Sequence, residues 1–251
     1  MDDPFYSSKF SIDWANDHIA EFEREMNAFF QLDNYTTVTD FDADGTHQLL
    51  KFKLTKQMPR ALNGHTIDTV YNLRAALDQA ICSVTMLSNL PTDYTFFPFA
   101  RSETDFPNAL NGRCGHLPKD IFNLVGTFEP YKGGNNLLWA LNELCNTNKH
   151  GILRPVVMGT YSLMAEGTSQ GSGLKIFQRP QWDRAKNEMI LAEAPISAKF
   201  AMKYDYSFGI GFSDIEFING KPVITTLNKF LSEVKGIVMA IEAEAQRIGL
   251  C

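Results

Sequence analysis

Lys199-Phe200-Ala201-Met202-Lys203-Tyr204-Asp205-Tyr206-Ser207-Phe208-Gly209-Ile210-Gly211-Phe212 sets a large apolar side chain at every even position and a small or polar residue at every odd one. Successive side chains on extended backbone point to opposite faces, so a period of two predicts a half-buried strand. The chain therefore contains a sheet. Gly209 and Gly211 mark a bulge or bend along so long a strand. Just beyond, Asn219-Gly220 lies between Ile215-Glu216-Phe217-Ile218 and Lys221-Pro222-Val223, the pattern of a two-residue hairpin. Upstream, β-rich runs occur at Ile152 to Ala165, Leu174 to Phe177 and Met189 to Ala192, separated by a Gly- and Ser-rich loop over 167–173 and a Pro-Gln-Trp turn.

Helical periodicity flanks this block. Ile12, Ala15, Ile19, Phe22, Met26, Phe29 and Phe30 recur at helical spacing behind Ser11 as a candidate cap. A second helix is expected from about Ile67 to Leu87, with Val70, Leu73, Leu77, Ile81 and Val84 inward. Between them, Gln48 to Lys56 alternates as a short strand ended by Pro59. Residues 91–118 are rich in Pro, Gly, Asn and aromatics, with Phe96-Phe97-Pro98-Phe99 at their most hydrophobic point, and are expected to be an ordered, irregular connection. A short helix follows at about Lys119 to Leu124. After the turn Tyr131-Lys132-Gly133-Gly134, a helix is expected from Asn136 to His150, stopped by Gly151. Leu227, Phe230, Leu231, Val234, Ile237, Val238, Ile241, Ala245 and Ile248 define a C-terminal amphipathic helix. The expected architecture is one α+β domain over residues 1–251, a helical bundle packed against an antiparallel β-sheet. Its helix-rich part covers about 11–151, its β-rich part about 152–224, and its last helix about 226–249.

Hydrophobic residues make up 44% of the chain and charged ones 21%, the balance of a globular protein rather than a disordered one. The net charge of −6 argues against a general basic surface for duplex DNA, although a local basic pocket is invisible to a whole-chain count. Cys82, Cys114, Cys145 and Cys251 show no CxxC spacing, which fits free thiols in a reducing cytosol. No secretory signal or membrane-spanning run is read in the sequence, and a cytoplasmic protein without a membrane partner is expected.

Two polar clusters interrupt apolar helix faces. In the first, Arg74 and Asp78 are one turn apart at i,i+4, as are Asp68 and Asn72. Two readings stay open: an ion pair snorkelling at a helix edge, or an arginine held by Asp78 and aimed at phosphate or carboxylate. In the second, Asn142, Asn146 and His150 follow i,i+4 spacing with Glu143 and Lys149 alongside. A structural hydrogen-bond network and a binding or catalytic role are both consistent with it. Cations at the helix end also gain roughly 0.3–1 kcal/mol from the macrodipole, so capping alone accounts for Lys149 and His150. If the two clusters meet, they make a site.

Asn72-Leu73-Arg74-Ala75-Ala76-Leu77-Asp78, then Glu129-Pro130-Tyr131, Leu138-Trp139 and Asn146-Thr147-Asn148-Lys149-His150, resemble a family of uncharacterised bacterial proteins with NLRxALDH and LWxLxxLxNxDKH motifs. The resemblance covers about Thr66 to Pro155 and carries no agreed activity. A more distant resemblance is to HEPN domains, helical bundles in which Arg and His in an Rx4–6H motif cleave RNA without metal. Gln79 stands where the bacterial family often has His, giving Rx4Q, and Gln cannot exchange a proton near neutral pH. That resemblance implies either a binding-only site or one in which His150 supplies the imidazole, with Arg74 on phosphate. Asn148 replaces an Asp of the family motif.

Two function readings follow. The first is a noncatalytic binding or interaction protein, and the alternative is a HEPN-like ribonuclease or nucleotide-binding protein using Arg74 and His150. A small molecule, nucleotide or RNA is the expected partner, and a homodimer through a helical face is a further one. Asp40-Phe41-Asp42-Ala43-Asp44-Gly45 imitates a calcium loop, but Lys51 occupies its twelfth position, where a bidentate Glu belongs, so a polar turn is preferred. The histidines and cysteines form no zinc pattern, and neither metal nor cofactor is expected. The even-numbered aromatic strand face is read as core rather than as a stacking platform.

Overall fold

The computed structural model describes residues 3–32, 34–146, 153–158, 164–166, 173–177, 180–197, 199–201 and 207–251. In chain order these form α1 (Tyr6–Gln31), β1 (Tyr35–Phe41), β2 (His47–Leu54), α2 (Arg60–Leu87), α3 (Phe106–Cys114), α4 (Lys119–Gly126) and α5 (Asn136–Asn146). They continue with β3 (Leu153–Met158), β4 (Met164–Glu166), β5 (Lys175–Ile176), β6 (Trp182–Asp183), β7 (Glu188–Pro195), β8 (Lys199–Ala201), β9 (Ser207–Phe212) and α6 (Val223–Arg247). The class is α+β, with every named strand pair antiparallel.

α2 lies at the centre of the helical layer, packed against α1, α5 and α6. Its fully buried Leu73, Leu77 and Ile81 recur at i,i+4, as the periodicity requires. The hydroxyls of Thr66, Thr69 and Thr85 are also buried on this helix. Each donates to the carbonyl four residues back, Leu62, His65 and Ile81, at 2.8, 2.8 and 2.9 Å, so none is left without a partner. α2 begins at Arg60, a full turn or more before the expected Ile67. Pro59 has the fixed φ and extended ψ of a residue entering a helix, and its carbonyl accepts from Leu62. Pro118 and Pro222 start α4 and α6 in the same way. Ser11 is a correction, because α1 starts at Tyr6, where Asp3 accepts the Phe5 amide at 2.9 Å. Ser11 is buried and donates to Gln79 Oε1 at 3.0 Å instead. On the solvent side of α1, Tyr6, Phe10 and Trp14 are exposed and stacked in sequence.

The main sheet has the order β1-β2-β7-β5, with β6 also on β7. Two of its strands come from the helix-rich part of the chain, so helical and β segments are interleaved. β1–β2 is a hairpin over the calcium-like residues. Asp42 Oδ1 accepts the amides of Thr46 and His47 at 2.8 and 3.1 Å, and Lys51 reaches Asp40 at 2.8 Å and Glu188 at 3.2 Å. The polar turn is what forms there. Phe52 lies at the centre of the sheet's own core, with Tyr35, Trp182 and Phe208 around it at centroid distances of 5.3, 6.2 and 3.7 Å. Phe208, Ile210 and Phe212 of the expected aromatic face thus pack inward or against the sheet core.

The strand expected over 200–212 is seen as two pieces, β8 on β4 and β9 on β3, and residues 202–206 lie outside the described residues. The hairpin expected around Asn219-Gly220 takes another form. Residues 216–220 are turn, and Asp214 and Phe217 adopt positive φ, which breaks extended pairing. Phe212 instead exchanges bonds with this turn, donating to the Lys221 carbonyl at 3.0 Å and accepting from the Gly220 amide at 2.8 Å. The irregular stretch 91–118 holds α3, also unexpected. No helix among the described residues is long and apolar enough to cross a membrane.

Candidate functional site

The two polar clusters meet. Arg74 of α2 donates through Nη1 to the Asn142 Oδ1 of α5, which joins the first motif to the second. Its Nε lies 3.5 Å from Asp78 Oδ2, and its Cζ sits 4.3 Å from the centroid of the Phe99 ring. The guanidinium is thus fixed on three sides, by a carboxylate, an amide and an aromatic face. Among the described residues its buried Nε has no hydrogen-bond partner, the 3.5 Å ion pair apart.

Asp78 works in two directions. Its Oδ1 accepts the amide of Phe97 at 2.8 Å, so one carboxylate orients Arg74 and also anchors the aromatic connection. Burial raises the Asp78 carboxyl above its ordinary range, and the attraction of Arg74 and Arg113 only partly opposes this. Arg113 of α3 holds the same connection from its other side, donating to the carbonyls of Phe97 and Phe99 at 3.2 and 3.0 Å.

α5 is set by its own turn. Asn135 caps it, its Oδ1 accepting the Leu138 amide at 3.1 Å, and its Nδ2 reaches Glu233 of α6 at 2.6 Å. Gly134 has no room for a side chain, since a Cβ there would lie 2.7 Å from the Glu129 carbonyl and 2.8 Å from the Tyr131 ring. The tight turn from Glu129 to Asn135 therefore fixes where Asn142, Glu143 and Asn146 emerge.

Between α2, α5 and the aromatic connection opens a cleft of about 250 Å³. Arg74, Arg101 and Arg113 line it together with Asn142, Glu143 and Asn146, and Phe99 forms part of its wall. Three guanidiniums face one lining carboxylate, with Asp78 behind Arg74, so the cleft is cationic within a chain of net charge −6. Among the described residues, no hydrogen bond or ion pair engages the exposed Arg101 side chain.

Of the residues singled out from sequence, Arg74, Asn142, Glu143 and Asn146 line this cleft, and Asp78 supports it. Asn72 does not line it; its amide donates to the Asp68 carbonyl at 2.7 Å within α2. Gln79, at the Rx4Q position, bonds Ser11 of α1 and is not among the cleft's lining. Lys149 and His150 lie outside the described residues, and with them the expected approach of Arg74 to His150. Arg101, Arg113 and Phe99 were not legible as site residues. Their signal is two arginines that follow the apolar Phe96–Phe99 run, in a segment with no periodicity to say where they point.

Cys114, which is buried, and Cys145, which is partly buried, lie close by, and desolvation pushes both thiols up to about 12. They remain protonated and carry no nucleophilic role at neutral pH. Among the described residues, no cluster of three or more His, Cys, Asp or Glu is placed to hold a metal ion. Comparison of the chain with protein-family models, with curated proteins and with solved structures finds no match in any of the three.

Proposed function

We propose that this chain is a noncatalytic binding protein whose cleft takes the phosphate or carboxylate group of a small ligand. The observation that carries this reading is the convergence of Arg74, Arg101 and Arg113, from three separate segments, on one small cleft. Planar guanidinium forks match phosphate and carboxylate oxygens, and Asn142 and Asn146 add amide donors. Arg74 and Arg113 are already held by protein groups and act as a preformed floor, whereas Arg101 is available to close on the anion. Preformed donors bind with less ordering cost than mobile ones.

Calorimetric titration with inorganic phosphate and with acetate tests this. Binding that weakens as salt rises is expected, and Arg101→Ala lowers phosphate affinity about ten-fold, the equivalent of one charge-assisted hydrogen bond. Arg101 is exposed, so the variant keeps its fold. Absence of binding by either anion, or an Arg101→Ala protein that binds both as before, removes the reading.

Under this reading the protein does not cleave RNA in the presence of chelator. Chelator-resistant cleavage that disappears in folded Arg74→Ala and folded His150→Ala proteins would replace it with metal-independent ribonuclease action by those two residues.

A further inference from the structure

Arg113 lines a second hollow as well, of about 380 Å³, whose walls include Tyr94, Phe96 and Asn108. The aromatic connection divides its rings between core and solvent. Phe97 and Phe99 are 0% and 5% exposed, whereas Tyr94 and Phe96 are 84% and 48% exposed. Two large rings lining one open hollow differ from scattered surface aromatics, which need no explanation. Tyr94 also holds φ of 59°, a left-handed backbone that is uncommon for an aromatic residue and concentrates at ligand sites. Its amide neighbourhood is fixed, since buried Thr95 donates its amide to the Thr92 carbonyl at 3.2 Å.

The two hollows therefore share one lining arginine, which stands between them. The cationic cleft uses Phe99, Ala100 and Arg101 of the connection, and the aromatic hollow uses Tyr94 and Phe96. Extended backbone covers about 3.3 Å per residue, so Phe96 and Ala100 are at most roughly 13 Å apart along it. A ligand reaching both would carry its ring several ångströms from its charge.

We propose that the ligand of this protein is a flat aromatic ring tethered by a short linker to one phosphate or carboxylate group. The ring lies in the hollow walled by Tyr94 and Phe96, the anion meets Arg101 and Arg74, and Arg113 spans the junction. This rests on the anion-binding reading of the cleft and adds the ring to it. Ring stacking on an aromatic side chain is worth about 1–3 kcal/mol per ring, which is roughly five- to a hundred-fold in affinity.

Calorimetry on the full chain with three probes decides it: inorganic phosphate, adenosine 5′-monophosphate and 4-phenylbutyrate. At least one ring-bearing probe is expected to bind about ten-fold tighter than phosphate, and which one gains separates a phosphate ester from an aromatic carboxylate. Tyr94→Ser with Phe96→Ala removes that advantage and leaves phosphate affinity unchanged, while Arg101→Ala weakens every probe that binds. Both rings are exposed, so thermal melting of the double variant matches the parent. If the double variant binds the ring probes as well as the parent does, while Arg101→Ala still weakens them, the ring proposal is overturned and the anion reading stands. If no ring probe exceeds phosphate, the ring proposal falls alone. If Arg101→Ala changes nothing, both fall together.

Discussion

Phe97→Ala is expected to lower the free energy of unfolding by about 3–5 kcal/mol, the cost of removing a fully buried aromatic ring from a packed core. Phe97 has no exposed surface and packs against Phe99 and Phe128 at centroid distances of 5.1 and 6.3 Å. Its backbone is also the point where the site is fastened, since the amide goes to Asp78 and the carbonyl to Arg113. Loss of the ring frees that backbone to shift, and phosphate affinity at the cleft falls with stability. A urea titration reads the effect as a lower midpoint at unchanged slope. Phe96→Ala, one position away on the open side, is the control and costs within about 0.5 kcal/mol. A Phe97→Ala protein within about 1 kcal/mol of the parent would mean that the connection does not rest on this ring.

Asp78→Ala is the second large effect, at about 2 kcal/mol, because the Phe97 amide loses its acceptor and Arg74 its carboxylate. Asp78→Asn keeps an acceptor for the amide and is expected to lose about half as much. The pair of variants also gives a pH test with a definite sign. Burial raises Asp78 in the folded chain above its ordinary value of 3.8. Between that value and the raised one, the folded state holds a proton that the unfolded state has released. The contribution of this group to stability is therefore greatest at low pH and declines as pH rises through the folded pKa. Relative to Asp78→Asn, the parent gains stability on acidification from about pH 7 to about pH 4. Urea midpoints of the two proteins across that range check it, and a parent that loses ground on acidification contradicts the assigned environment.

The parts of this site that were legible in sequence were those on regular helices. Arg74 and Asp78 are one turn apart, and Asn142 and Asn146 likewise, so helical spacing alone put each pair on one face. The two faces meet at Arg74 and Asn142, whereas the convergence expected of Arg74 and His150 involves a residue outside those described. Arg101 and Arg113 escaped because their positions depend on how an irregular segment packs. In such a segment direction is set by tertiary bonds, such as those from Arg113 to two carbonyls, rather than by period. α3 escaped for a related reason: only Phe106, Leu110 and Cys114 are buried on it, a stripe too narrow to outweigh Pro107 and Gly112. β1 is an edge strand whose outer half is exposed, so its Thr-rich sequence shows little apolar alternation, and Asp40 with the Asp42 and Asp44 that follow the strand resembles a metal loop instead.

The interleaving of the main sheet bears on how this protein is made. β2 pairs on one side with β1, its near neighbour in the chain, and on the other with β7, where Gln48 faces Ala194. At ordinary synthesis rates, the ribosome needs roughly 10–30 s to add the intervening residues. During that interval the inner edge of the hairpin, with Leu50 and Phe52 on it, has no native cover. Until the second half emerges, that edge presents unpaired backbone groups that can template pairing with another strand.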